Sequence, residues 1–193
     1  MMKKRNAGFA VAASGILLAT LCSAATAAEP FTLTSTMFKD GTMVPQKITN
    51  KGANCSGENI SPQLSWSNVP EGTKSLAIML VDPEGAGGAG VNHWVAYGID
   101  PSVTGLAEGE ASKPSPKFVG GKGSGGKDIW QGPCAGPGAP HHYTFVLVAT
   151  ELEPKELPPG LTRPELLEKL VPPAPAPRRV KGTTGLVGLW AKQ

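Results

Sequence analysis

Three runs of apolar, β-branched and aromatic residues, each bounded by Pro, Gly or Asp, limit what this chain can fold into. Ser75-Leu-Ala-Ile-Met-Leu-Val81 stops at Asp82-Pro83, Val91 to Ile99 stops at Asp100-Pro101, and Tyr143-Thr-Phe-Val-Leu-Val-Ala149 follows Gly138-Ala139-Pro140. Continuous apolar stretches of this kind between turn residues are buried strands. Phe31 to Thr36 alternates in the manner of a half-buried strand, and Leu186-Val-Gly-Leu-Trp190 suits a closing one. The 25 Gly and 19 Pro leave little room for helical periodicity. One helix is well signalled. Thr162-Arg163-Pro164-Glu165 reads as a capping box with Pro in the first turn. Leu166, Leu167 and Leu170 give it one apolar face, and Pro172-Pro173 ends it. The segment 172–177 is then an extended surface connection. The expected fold is mainly β, a β-sandwich with one or two peripheral helices and no internal repeat.

The first residues are not part of that fold. Lys3, Lys4 and Arg5 precede an apolar stretch from Phe9 to Leu21, and small residues follow it. This is the layout of a secretory signal peptide, and the stretch is too short to span a bilayer. Ala25-Thr26-Ala27 places the cut after Ala27, with a cut after Ala28 nearly as good, leaving residues 28–193 as a single domain. Cys22 follows Leu21, where a lipoprotein peptidase needs a small residue, so no lipid or other stable membrane anchor is expected. Three of the 18 basic residues and none of the 15 acidic ones lie in the signal segment, so the processed chain carries 18 − 3 = 15 of each. A neutral chain without a basic patch is not a nucleic-acid binder. An exported destination, periplasmic or extracellular, also bears on the two remaining cysteines, Cys55 and Cys134. An even pair in an oxidising compartment points to a disulfide, with two buried free thiols as the alternative. Closing a loop of roughly 80 residues is worth about 4 kcal/mol in the chain-entropy account.

Several motifs are nearly present and fail. Gly121 to Lys127 approaches a phosphate-cradling loop, but Asp128 stands where Ser or Thr would hold Mg²⁺, and no apolar strand or helix frames it. It reads as a flexible loop. Gly85 to Gly90 lacks the dinucleotide fingerprint, and Lys122 breaks any nucleophile elbow around Ser124. His93, His141, His142 and Cys134 match no compact zinc spacing, so neither a metal nor a cofactor is expected.

What remains sits at strand ends. The blocks are Asn-x-Ser-Pro-x-Leu-x-Trp at 59–66, Asp82-Pro83, His93-Trp94, and Gly132-Pro133-Cys134 leading to His141-His142-Tyr143. In this order they resemble the signature of the phosphatidylethanolamine-binding (Raf-kinase-inhibitor-like) family, in its bacterial branch, over about Phe31 to Trp190. The resemblance implies an antiparallel Greek-key β-sandwich with a small pocket at one end that binds phosphate-bearing groups, lipid head groups among them. Carried over by motif, Asp82, His93 and His141 are the pocket residues, and Pro83 and Pro133 shape its wall and loops. Imidazole N–H groups donate to anionic oxygens, and a carboxylate beside them accepts from an ammonium group.

Each residue also has a plain structural reading. Asp82-Pro83 ends a strand, His93 satisfies one core hydrogen bond, Trp66 and Trp94 fill the core, and His142 points away from His141 to the surface. The order of the blocks, not any one residue, favours the pocket. The chain departs from the family at Glu84-Gly85-Ala86, where Asp-Ala-Pro is usual, at Ala135-Gly136-Pro137 after Cys134, and at its Pro-rich segment 172–177. The expected function is a non-enzymatic binding module for a small anionic or phosphorylated ligand. A regulator acting on a protein target, such as an extracytoplasmic protease, is the alternative. A hydrolase using His93 or His141 as base ranks third, because no nucleophile accompanies them.

Overall fold

The run Ser75–Asp82 contributes alternate side chains to two cores, which explains why it is apolar throughout. Leu76, Ile78 and Leu80 enter one cluster, and Ala77 and Met79 the other, all of them buried. The computed structural model describes residues 29–52 and 55–192. The signal segment 1–27 with its cut lies outside the described residues.

The elements in chain order are β1 (Thr32–Thr34), β2 (Thr42–Met43), β3 (Lys51–Gly52), β4 (Cys55–Ser56), β5 (Leu64–Ser67), β6 (Ser75–Asp82), β7 (Val91–Ile99), β8 (Gly105–Leu106), β9 (Val119–Gly121), β10 (His141–Thr150), α1 (Arg163–Leu170) and β11 (Val180–Trp190). Six strands form the main sheet in the order β2-β11-β10-β6-β7-β9. Within it β6, β7 and β9 run on successively, and β10 returns to lie beside β6, which is the Greek-key order. A three-stranded sheet, β1-β5-β8, packs Leu33, Leu64, Trp66 and Leu106 against the first face of the main sheet. Among the described residues the named strands pair antiparallel except β2 with β11, a parallel addition at the edge.

The second face of the main sheet is covered by α1. Leu166 and Leu170 pack on Met79, Val95, Tyr97 and Val148. Burying each such side chain stabilises the fold by about 1.5–3 kcal/mol. The capping box at Thr162 and Glu165 forms as the sequence predicts. β11 starts at Val180, earlier than the apolar residues Leu186 to Trp190 suggest, because its first half pairs with β10 while exposing alternate residues.

The glycine-rich segment after β9 differs from the flexible loop expected. A short strand does precede it, and the turn is clipped to β7. Ser124 N–H donates to the Asn92 carbonyl at 2.7 Å, and Asn92 N–H donates to Ser124 Oγ at 2.9 Å. Glycine at 123 permits this approach, since a Cβ there would sit 2.7 Å from the Asn92 carbonyl oxygen.

Candidate ligand-binding site

Asp82, His93 and His141 come from three adjacent strands and meet at one end of the main sheet. Asp82 is the last residue of β6 and His141 the first of β10, so both lie where the strands open to the loops. Asp82 Oδ1 accepts the Gly85 N–H at 2.9 Å, which fixes the carboxylate and turns Oδ2 towards the histidines. Oδ2 accepts from His141 Nδ1 at 2.8 Å and faces His93 Nε2 at 3.9 Å. The Asp82 and His93 side chains are 4 % and 9 % exposed, whereas that of His141 is 26 % exposed and is the most accessible of the three. Tyr143, two residues on and on the same face of β10, is fully buried against both histidines. Its ring stacks on His141 at 6.4 Å and meets the His93 ring edge-on at 5.2 Å.

His93 reaches this recess through a break in strand register. Leu80 pairs with Trp94 and Val81 with Asn92, so His93 is an extra residue without a partner on β6. Simple alternation would send His93 and Trp94 to opposite faces. The bulge re-aims His93 towards Tyr143 while Trp94 remains in the first core cluster. Its Nδ1 lies 3.1 Å from the Gln131 carbonyl oxygen, which can only accept, so Nδ1 carries the proton. In the neutral ring Nε2 then presents a lone pair. That nitrogen is buried, with no hydrogen-bond partner among the described residues. Burial pushes the imidazole below its ordinary pKa of 6.5, against the pull of Asp82.

The segment that supplies the Gln131 carbonyl is held from the far side. Asn59 brackets it, donating from Nδ2 to the Trp130 carbonyl at 3.2 Å and accepting the Gly132 N–H at Oδ1, 2.8 Å away. Asn50 N–H donates to the Pro133 carbonyl at 2.9 Å, and Trp130 Nε1 to the Ile48 carbonyl at 3.2 Å. Cys134 is joined to Cys55 by a disulfide, with the two Cα atoms 5.7 Å apart, and its N–H donates to Tyr143 Oη at 3.1 Å. The Tyr143 phenol is pushed up by burial and then by Asp82, so it stays protonated.

At the rim, Glu84 pairs with His142. Oε1 accepts from His142 Nδ1 at 2.8 Å and Oε2 from the His142 N–H at 3.1 Å. Burial works against ionising Glu84, but these bonds outweigh it and hold its pKa below the ordinary value. A ligand atom from each of Asp82, Glu84 and His141 lies within 4.8 Å of the others, so among the described residues these three form a group close enough to share a metal ion.

The structure therefore brings together Asp82, His93 and His141. Pro83 lies exposed at the end of β6, where the turn to Gly85 begins. Pro133 is buried, and its part in the site is through the backbone. Trp66 and Trp94 are core residues, and His142 is exposed. Three contributors were not singled out from the sequence. Tyr143 follows His141 by two, and Glu84 follows Asp82 by two, both spacings at which a strand end can present neighbours to one site. The Gln131 carbonyl has no sequence signal at all, because a backbone group acts there.

A family model described as phosphatidylethanolamine-binding protein matches residues 34–184. A candidate lipoprotein of Mycobacterium tuberculosis, LppC, is 37 % identical over 161 residues, covering 82 % of this chain and 74 % of LppC. The UPF0098 protein YbcL of Escherichia coli is 36 % identical over 131 residues, covering 65 % of this chain and 72 % of YbcL. The crystal structure of YbcL, described as a new member of the mammalian PEBP family, superposes with a TM-score of 0.75. That superposition covers 84 % of this chain and 99 % of the other at 28 % identity.

Proposed function

Because this chain belongs to the phosphatidylethanolamine-binding protein family, in its YbhB and YbcL type, we propose that it is a binding protein, not an enzyme. Its ligand is a phosphate-bearing group, such as a phospholipid head group, seated between Asp82, His93 and His141. The observation that carries this reading is the buried His93 Nε2, 3.9 Å from Asp82 Oδ2 and unpaired among the described residues. A buried polar atom without a partner is costly, and a ligand that pairs with it gains the difference. A phosphate oxygen meets the need in either protonation state. The phosphate O–H donates to Nε2, or Nε2 takes the proton and donates back, so one proton lies between them. His141, the most accessible of the three, adds a second imidazole, and a carboxylate beside it accepts from an ammonium group on the same ligand.

Among the described residues, the hydrogen-bond partner of His93 is a backbone carbonyl and that of His141 is Asp82. Neither ring holds a Ser, Thr or Cys in the position of an activated nucleophile, which supports binding over hydrolysis. Export follows from the signal layout of residues 1–27. The lipoprotein name of LppC and the Cys55–Cys134 bridge agree with an oxidising compartment outside the cytoplasm. Among the described residues no helix is long and apolar enough to cross a membrane.

The test is calorimetric titration of the processed protein with phosphoethanolamine, phosphate and acetate. Saturable binding that prefers the phosphorylated compounds and disappears in His93→Ala and His141→Ala is the expected result. No heat at millimolar concentration, from protein shown to be folded, would overturn the phosphate reading and leave a protein target as the next candidate.

A further inference from the structure

The balance of charge in the recess raises a question that the head-group reading leaves open. Asp82 and Glu84 bring two carboxylates, and their ion-pair partners among the described residues are histidines alone. With Nδ1 turned to the Gln131 carbonyl, His93 presents its other nitrogen, unpaired among the described residues, on the side of Asp82. Two carboxylates beside imidazole nitrogens also make a seat for a cation.

We infer that this cluster is a divalent-cation site, with Asp82, His141 and His93 as principal ligands and Glu84 closing it from the rim. Three independent features point this way. Ligand atoms of Asp82, Glu84 and His141 already lie within 4.8 Å of one another. Behind them, and almost wholly buried, His93 turns Nε2 towards Asp82 Oδ2 at 3.9 Å and has no partner of its own there. Its opposite nitrogen donates to the Gln131 carbonyl, the outer contact that commonly fixes the tautomer and orientation of a metal-binding imidazole.

Distances fit with modest adjustment. Bonds of about 2.0–2.1 Å at tetrahedral angles set ligand atoms roughly 3.3 Å apart. The His93–Asp82 separation of 3.9 Å would close slightly and the His141–Asp82 separation of 2.8 Å would open. His141 is partly exposed and free to make that movement. The ion would replace the proton that His141 Nδ1 now shares with Asp82 Oδ2, so the exchange leaves neither group unpaired. Two imidazoles with carboxylates select a first-row divalent ion of the zinc or cobalt kind over Mg²⁺ or Ca²⁺, which take oxygen ligands. The inference goes beyond the phosphate reading. Such an ion would add positive charge beside a bound phosphate, yet its binding can be measured with no phosphate present.

The experiment is titration of chelator-treated processed protein with Zn²⁺ and with Co²⁺, in a buffer free of phosphate. Calorimetry should show one Zn²⁺ per chain. Co²⁺ should give a visible absorption band, and the His93 imidazole nitrogens should shift in long-range ¹H–¹⁵N spectra. Asp82→Asn and His93→Gln should each weaken binding at least 10-fold and Glu84→Gln less, while Mg²⁺ does not compete. No stoichiometric binding overturns the inference. Binding that leaves the His93 resonances unmoved, or survives both substitutions, also overturns it and marks chelation by the exposed Glu84–His142 pair. The imidazole spectra are read on the unsubstituted protein, so the result stands even if a variant fails to fold. Titrating phosphate into the cation-free protein tests the phosphate reading separately.

Discussion

Removing the Cys55–Cys134 bridge should destabilise the protein strongly while leaving the recess intact. The two residues are 79 apart in sequence. For a loop of that length the chain-entropy relation gives a loss of about 15 cal/mol/K in the unfolded chain, or about 4.5 kcal/mol at 25 °C. In the folded state the same region is tied down several times over. Asn50 N–H holds the Pro133 carbonyl, Asn59 brackets Trp130 and Gly132, and Trp130 Nε1 reaches Ile48. The bridge therefore acts mainly by restricting the unfolded chain, not by holding the Gln131 carbonyl against His93. The double variant Cys55→Ser/Cys134→Ser avoids a stray thiol. Urea denaturation should show stability lower by roughly 3–4.5 kcal/mol, with a larger denaturant slope as the unfolded chain expands. Ligand affinity below the transition should stay within about twofold. A loss under about 1 kcal/mol would refute the unfolded-state argument. Normal stability with lost binding would show instead that the bridge is what positions the site.

Three further outcomes are expected. Gly132→Ala places a Cβ 2.7 Å from the Thr49 carbonyl carbon and 2.8 Å from Asn50 N, both backbone atoms. It should lower stability by about 1–3 kcal/mol in denaturant unfolding and weaken ligand binding by moving the neighbouring Gln131 carbonyl. Leu166→Ala removes a fully buried contact between α1 and the sheet. A loss of about 2–5 kcal/mol is expected, with ligand affinity unchanged because the helix covers the other face. His93 has its pKa lowered from 6.5 by burial, so in mildly acid solution the unfolded chain binds a proton that the folded ring refuses. Stability is then full above about pH 6.5 and falls as pH drops towards the folded pKa, with a slope of up to about 1.4 kcal/mol per pH unit. Thermal or urea unfolding across that range should show this slope, and His93→Gln should remove it.

The central strands β6, β7 and β10 of the main sheet were legible because both of their faces are largely buried. That condition makes β6, most of β7 and the second half of β10 apolar without interruption, so length and punctuation alone identify them. The helix was legible from its capping box and leucines. The edge strands β2, β3, β4 and β8 are two residues each and carry no periodicity to read. The first half of β11 is exposed on alternate residues and rich in Thr and Gly, so it does not register as a strand.

At the site, Asp82 and His141 were visible as residues at strand ends, but what aims His93 was not. Alternation predicts the wrong face for it, and only the register shift against β6 corrects this. Motif order therefore selected His93 where local physics could not. The support beneath it is invisible for a different reason. Gln131, Gly132 and Pro133 act through backbone atoms, and Asn59 meets them across 73 residues of sequence. In the block 59–66, Asn59, Ser61 and Trp66 prove to be braces: Asn59 clamps the 130–132 segment, Ser61 accepts from Ala111 N–H, and Trp66 Nε1 donates to the Val103 carbonyl.

The central claim is that a phosphate-bearing group seats against Asp82, His93 and His141. It is tested most directly by following the histidine ring nitrogens in long-range ¹H–¹⁵N spectra while phosphoethanolamine is added to metal-free protein. The account predicts that His93 Nε2 moves from a lone-pair to a proton-bearing shift, that His141 moves with the same saturation curve, and that the exposed His142 lags or stays still. Unchanged His93 and His141 resonances at saturating ligand would contradict it, as would a response centred on His142.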